Sequence, residues 1–152
     1  MNEGEHTLRL NGRREYVDLP ELGLFHVEAK IDTGAYTSSV HVEDVFMKEI
    51  EGIPTVIANI IQSDTEEKKE FRFTNFSVKK IRNSFGEMEE RFVIKSLMKI
   101  GHKQISASFS LSNRDKMRYP VLLGRRPLKG KFIIDVSHLH IGGKDAGDLH
   151  SI

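Results

Sequence analysis

The sequence predicts an all-β protein whose short strands close into a barrel. Short runs of β-branched and other apolar residues are separated by clusters of Gly, Pro, Asn and charged residues, as in strands joined by turns. Residues 105–112 alternate strictly between apolar residues and serine, which is typical of a strand with one buried face. The apolar run at residues 121–123 fits a strand buried on both faces. Many short strands with turns between them favour a barrel.

The first two predicted strands precede Asp32 in the chain. Residues 13–19 predict a strand with Val17 and Leu19 facing inward, and residues 20–23 predict a turn. The next strand, residues 24–31, ends at Asp32. Its alternation assigns four residues to one face: Phe25, Val27, Ala29 and Ile31.

The rest of the chain reads as further strands and hairpins. Strands are predicted at residues 55–61, 71–81, 91–100, 105–112, 121–123 and 132–136. Residues 37–45 fit a helix or a strand, and we expect extended structure. The charged residues 63–70 and the polar tip at residues 83–87 predict hairpin turns. Residues 126–129 predict one short helical turn that Gly130 ends.

Length and pattern predict one domain with loose ends. A chain of 152 residues is long enough to bury a core without disulfides. We expect residues 1–11 to form a flexible leader, residues 12–137 the single domain and residues 138–152 a C-terminal tail.

Composition excludes several functional classes. The 23 basic and 22 acidic residues give a net charge of +1, so no overall field attracts nucleic acid or an anionic membrane. Cysteine is absent, which excludes disulfides, thiol nucleophiles and Cys-ligated zinc. No stretch has the apolar length of a signal peptide or a membrane span. We expect a soluble cytoplasmic protein.

Asp32-Thr33-Gly34 is the candidate chemical motif. The rigid strand before it would hold the carboxylate, and Gly34 has no Cβ to obstruct a partner. The ordinary alternative is a turn in which the Asp side chain caps its own backbone. A second segment far downstream, Tyr119-Pro-Val-Leu-Leu-Gly-Arg125, strengthens the chemical interpretation.

Joined motifs over residues 12–136 resemble a known family. GRREYV and LPELG at residues 12–23, AKIDTGAYTSS at residues 29–39 and YPVLLGR at residues 119–125 are similar to the retropepsin-like aspartic peptidases long labelled ATP-dependent zinc proteases. The resemblance implies an acid-protease barrel with a flap hairpin. Members are often found alongside ATP-grasp ligases that add glutamate to proteins or peptides, which implies a functional link to such a ligase.

The residues do not support the zinc and ATP of that label. No His-Glu-x-x-His helix, Cys or Gly-rich Lys-Ser/Thr loop is present. His138 and His140 form one closely spaced pair, for which solvated tail residues are the default interpretation and adventitious metal binding the alternative. We therefore expect no metal and no cofactor.

The resemblance implies a paired-aspartate mechanism. One carboxylate activates a water and a second, protonated, binds the scissile carbonyl. Because this chain has one Asp-Thr-Gly, a second Asp32 must come from a homodimer partner. By resemblance Thr33 locks the two loops together, Gly34 allows close approach and Ala35 borders the substrate. The remaining implied residues are Leu123 and Gly124, which would buttress the loop, and a structural Arg125.

The proposed flap is the tip at Ser84, Phe85 and Gly86. Tyr36, where relatives often carry a charged residue, would lie beside the substrate groove. The cations at Lys79, Lys80 and Arg82 near the tip would favour acidic peptides, although a solvated hairpin face is the simpler interpretation.

The predicted function is therefore aspartic-type hydrolysis of peptide or glutamyl-modified protein substrates. One alternative is a non-catalytic module that holds an extended peptide by strand addition. A further alternative is a zinc-dependent hydrolase.

Overall fold

The computed structural model describes residues 9–82, 85–113, 119–141 and 144–145. Strands make up 62% of it, so the predicted all-β class is confirmed. Its strands are β1 (Arg9–Asn11), β2 (Arg14–Leu19), β3 (Leu24–Ile31), β4 (Ser38–His41), β5 (Glu43–Ile50), β6 (Ile53–Ile61), β7 (Lys68–Phe73), β8 (Ser77–Arg82), β9 (Met88–Ile100), β10 (Lys103–Ser112), β11 (Val121–Leu123), β12 (Phe132–Ile134) and β13 (Lys144–Asp145). The predicted helical turn is α1 (Arg125–Leu128), and Pro20–Leu22 forms a 3-10 turn.

Six strands close into a barrel. Their order is β10-β4-β11-β3-β2-β9, and β9 pairs again with β10 to complete the ring. Apolar side chains from alternate positions fill the interior, among them the fully buried Val17, Val40, Phe109 and Leu123. β8 pairs with β9 outside this ring. Among the described strands of the sheet, it is therefore β8 that forms an open edge.

A separate sheet, β5-β6-β7, packs against this barrel. Val56, Ala58 and Ile60 of β6 join the hydrophobic core from its inner face. Residues 38–41 and 43–50 are strands, so the expectation of extended structure there is confirmed. The single strand predicted at residues 71–81 is wrong, since the chain leaves the β5-β6-β7 sheet after Phe73 and enters the barrel sheet at Ser77.

The hairpin predicted around residues 83–87 is formed by β8 and β9. Arg82 pairs with Met88, and the register continues back to Ser77 opposite Val93. Asn83 and Ser84 lie outside the described residues.

The predicted inward face of β3 is wrong at its first residues. Leu24 is 4% exposed and Phe25 is 51% exposed, the reverse of the expected alternation. The pairing of β2 with β3 shifts register between Val17 and Leu19, and His26 has a positive φ of 52°. Such a bulge reverses the facing of the residues beyond it, while Ala29 and Ile31 keep the predicted face.

The serine face of β10 is less exposed to solvent than the alternation of its residues predicts. Ser106 is exposed, but Ser110 and Ser112 are buried because β10 lies beside β4 and near α1. This half-covered row of hydroxyls borders a groove described below.

A small sheet joins the two ends of the described chain. β1 lies between β12, to which it is parallel, and β13, to which it is antiparallel. β1 and β13 fall within the segments for which the sequence predicted a leader and a tail. In the part of the chain that the structure describes, no helix has the length and apolar character needed to cross a membrane.

Candidate active site

Asp32 lies where β3 ends beside a short strand from the far end of the chain. Leu123 of β11 pairs in parallel with Ile31, and the Asp32 amide donates to the Leu123 carbonyl at 2.8 Å. The strand before Asp32 and the strand beside it are both in the closed barrel. The backbone that carries the carboxylate is therefore held by hydrogen-bonded strands of the closed barrel.

The Asp32 carboxylate faces the surface. Its Oδ1 accepts a hydrogen bond from the Gly34 amide at 3.1 Å, so the loop is also the self-capped turn of the ordinary interpretation. Asp32 is half-buried, whereas Thr33 and Gly34 are exposed. Among the described residues no further donor binds this carboxylate, which leaves Oδ2 available to a water or a partner.

Gly124 is packed against the backbone that follows the Asp32 loop. A Cβ on Gly124 would lie 2.7 Å from the Tyr36 carbonyl and from the Thr37 oxygen. Its amide donates to the buried Ser38 hydroxyl at 3.1 Å. Glycine is thus required here for the close approach of two backbones.

We expect Gly124→Ala to destabilise the fold by about 2 kcal/mol and to weaken any activity of the Asp32 loop, because backbone cannot yield as a flexible side chain would. Thermal unfolding measures the loss of stability. The control is Gly52→Ala in the β5–β6 turn, where a Cβ meets no atom within 4 Å and the cost arises from φ alone. A Gly124→Ala protein as stable as the parent would contradict this packing.

Arg125 binds the backbone of the Asp32 loop. Its amide donates to the Ala35 carbonyl at 2.8 Å, and its guanidinium donates to the Thr33 carbonyl at 2.7 Å. The same guanidinium lies 5.8 Å from the centre of the Tyr36 ring. Arg125 therefore connects α1 to three residues of the loop, one of which, Tyr36, contacts the guanidinium through its ring.

The described flap residues take no part in these contacts. Phe85 is 86% exposed and borders a cavity with Val45, Leu111 and Asn113. The Gly86 carbonyl accepts from Arg82 at 2.8 Å. Ser84 lies outside the described residues, and closure of the tip over Asp32 stays a prediction.

A groove that the motifs did not reveal begins beside the Asp32 loop. It has a volume of about 500 Å³, and we call it the basic groove because Lys79, Lys95, Arg126 and Lys131 line it. Ser108 and Ser110 of β10 lie along it, and Thr37 and Ser38 connect it to the loop. Lys79 was singled out from the sequence and Lys95 lies on the other strand of its hairpin, but Arg126 and Lys131 come from a distant segment that local patterns do not bring there.

The histidine pair does not converge on one site. His138 Nε2 lies 3.6 Å from Asp135, and His140 Nε2 lies 2.9 Å from Glu28. Hydrogen bonds from the Ser137 hydroxyl and amide lower the pKa of Asp135 below its ordinary value. No cluster of three or more His, Asp or Glu side chains suited to a metal occurs in the described part of the chain.

Comparisons with known proteins bear on this site. A family model described as the retropepsin-like aspartic endopeptidase RimB matches residues 10–145. Two curated relatives, both named "Probable alpha-L-glutamate ligase", come from Shewanella pealeana (34% identical over 91% of this chain) and Desulfotalea psychrophila (33% over 84%). The matched segments are 30% and 28% of those relatives, so the chain spans less than a third of their length.

A solved structure has the same fold. The crystal structure of a Legionella pneumophila protein of unknown function aligns with a TM-score of 0.69 at 24% identity, covering 88% of this chain and 97% of the other. At that identity the likeness concerns the fold.

Proposed function

Since this chain belongs to the RimB-like family of retropepsin-like aspartic endopeptidases, we propose that it hydrolyses peptide bonds as a homodimer with one Asp32 from each chain. The observation that carries the proposal is the Asp32 loop itself. Its carboxylate is half-buried at an exposed turn whose backbone β11 and Arg125 hold in place.

The proposed chemistry needs the two carboxylates to share a proton. Two carboxylates at close range cannot both ionise easily, so one stays protonated and donates a hydrogen bond to the scissile carbonyl oxygen. The ionised carboxylate takes a proton from a water as the water oxygen bonds to the carbonyl carbon. The resulting tetrahedral species collapses when the amide nitrogen is protonated and the C–N bond breaks.

The exposure of the loop supports a dimer. Thr33 and Gly34 are exposed, and a twofold axis beside them would place identical residues in contact. Arg125 holds the Thr33 backbone through its carbonyl, and the residue is exposed. We assign Thr33 to the contact between the loops, with Ala35 bordering the substrate.

Glutamate-modified proteins or peptides are the proposed substrates. Relatives that contain a segment like this chain are named glutamate ligases, and a hydrolase encoded with a ligase is suited to act on its product. We therefore propose a functional link to an ATP-grasp ligase. We place the reaction in the cytoplasm, with which a chain free of cysteine is compatible.

Mixing parent and Asp32→Asn chains tests the shared site. If each site needs both Asp32 residues, an equimolar mixture that has exchanged subunits should retain about a quarter of the activity of the same total amount of parent chains. Independent sites would retain about half. The assay measures cleavage of a glutamate-extended peptide after incubation long enough for exchange.

Asp64→Asn provides the control, since the Asp64 carboxylate also accepts a hydrogen bond from a backbone amide in an exposed turn, that of the next residue, Thr65, but lies in the β6–β7 connection. Mixing with that variant should leave activity unchanged. Activity that falls in proportion to the parent fraction would contradict the shared site. Binding of peptide without turnover by the parent would favour the non-catalytic module.

A further inference from the structure

We propose that the basic groove is an exosite that binds carboxylate side chains of the substrate, with Lys79, Lys95 and Arg126 as its specificity-determining residues. This inference rests on the proposed function for the peptide nature of the substrate. It assigns recognition of acidic side chains to a surface that adjoins the Asp32 loop.

The charge of the groove is unbalanced. Four cations line it, and its described lining contains no Asp or Glu. None of these four side chains makes an ion pair with a described residue, although the whole chain carries only one net positive charge. Like charges gathered without counter-ions repel one another, and an anionic ligand would relieve that repulsion.

The hydroxyls beside these cations are the second observation. Ser110 is 7% exposed, and its Oγ has no hydrogen-bond partner within the described structure. A buried hydroxyl without a partner costs free energy, so a ligand or a water is expected there. Ser106 and Ser108 continue the row along β10, and each hydroxyl can donate to a carboxylate oxygen.

Hydrogen bonds connect residues of the groove to the segment that follows Asp32. The Arg126 amide donates to the Tyr36 carbonyl at 3.1 Å, and Ser38 accepts from Gly124 while also lining the groove. Thr37 is five residues beyond Asp32, which limits their separation to about 17 Å along the chain. A substrate held at the Asp32 loop would therefore present side chains only a few residues from the cleaved bond to these cations.

The shape of the surface favours an extended acidic peptide. A second cavity of about 410 Å³ shares Ser77, Lys95 and Ser108 with the groove and extends it to Arg72. β8 forms the edge of its sheet beside both cavities, so its outward backbone groups can pair with an added strand.

Single-stranded nucleic acid fits this surface less well. No aromatic ring lines the basic groove, and nucleic-acid platforms of this kind use exposed rings on which bases stack. The phenylalanines of the second cavity, Phe73 and Phe76, pack against the hydrophobic core.

Binding to a chain that cannot cleave tests the exosite directly. In the Asp32→Asn background, a short oligoglutamate peptide should bind much more tightly than its oligoglutamine counterpart, and rising salt should weaken binding. Lys79→Gln, Lys95→Gln and Arg126→Gln should each weaken it by about twofold to fivefold, the range expected of exposed ion pairs. Lys99→Gln is the matched control, because Lys99 is an exposed lysine on the same face of β9 outside the groove.

Kinetics of the parent protein separate this inference from the proposed function. The groove substitutions should raise KM for oligoglutamate and leave cleavage of a neutral peptide unchanged. Tight oligoglutamate binding that depends on the groove, without cleavage by the parent, would support the exosite and contradict the catalytic proposal. Cleavage with equal effects of Lys95→Gln and Lys99→Gln would overturn the exosite, as would displacement of the peptide by a lower concentration of single-stranded DNA.

Discussion

Replacing Asp32 by Asn should reduce the proposed peptide hydrolysis by about a thousandfold or more, while the fold and the assembly state stay those of the parent protein. An amide can neither take a proton from water nor share one with a partner carboxylate, and general acid–base groups contribute rate factors of about this size. The side chain keeps its oxygen for the Gly34 amide, so the turn should persist. Cleavage of a glutamate-extended peptide gives the rate, and circular dichroism with sedimentation checks fold and assembly.

The zinc-hydrolase alternative predicts the opposite pair of results. There Asp32→Asn would retain turnover and a chelator would remove it, whereas the aspartate mechanism predicts that EDTA changes nothing. Asp64→Asn should behave as the parent protein in both assays. Undiminished turnover in Asp32→Asn would falsify the paired-aspartate mechanism.

Replacing Glu15 by Ala should lower the free energy of unfolding by about 3 kcal/mol. Glu15 is 1% exposed, and its carboxyl oxygen accepts from the amides of Gly12 at 2.6 Å and Ile141 at 3.1 Å. Removing the acceptor leaves two amides unpaired and a cavity, and each unpaired buried group costs about 1–3 kcal/mol. For a domain of this size we expect the midpoint of thermal unfolding to fall by about 10 °C.

Two controls isolate the buried carboxyl. Glu15→Gln keeps an oxygen acceptor and should lose less stability than Glu15→Ala. Glu28→Ala removes a half-exposed glutamate whose Oε1 lies 2.9 Å from His140 of the same C-terminal segment, and should cost less than about 1 kcal/mol. If Glu15→Ala proved no more damaging than Glu28→Ala, the buried hydrogen bonds would not be a main link between β2 and residues 138–141.

Local pattern was sufficient for the barrel and the Asp32 strand. Alternation identified β2 and the later part of β3, and the run at residues 121–123 identified β11, because burial on one or two faces leaves a direct mark on residue type. Phe25 was placed inward wrongly because a bulge reverses the facing of residues without changing their types.

Features that depend on distant segments could not be predicted in this way. Glu15 lies at an alternate position of β2 from Val17 and Leu19, which predicts an inward side chain. A charged residue is nevertheless usually expected to face solvent. The burial of Glu15 requires amides from both ends of the chain. The basic groove likewise adds Arg126 and Lys131, from the far end of the chain, to the Lys79 and Lys95 of one hairpin, and only the tertiary fold brings these together.

The support that β11 and Arg125 give the Asp32 loop has a consequence for biosynthesis. Arg125 and Thr33 are separated by 92 positions, and forming such distant contacts is slow because a long loop must close first. During translation the ribosome must therefore add residue 125 before the Asp32 loop can acquire these contacts. On the proposed mechanism, a nascent chain has no supported Asp32 loop until its synthesis has passed that position.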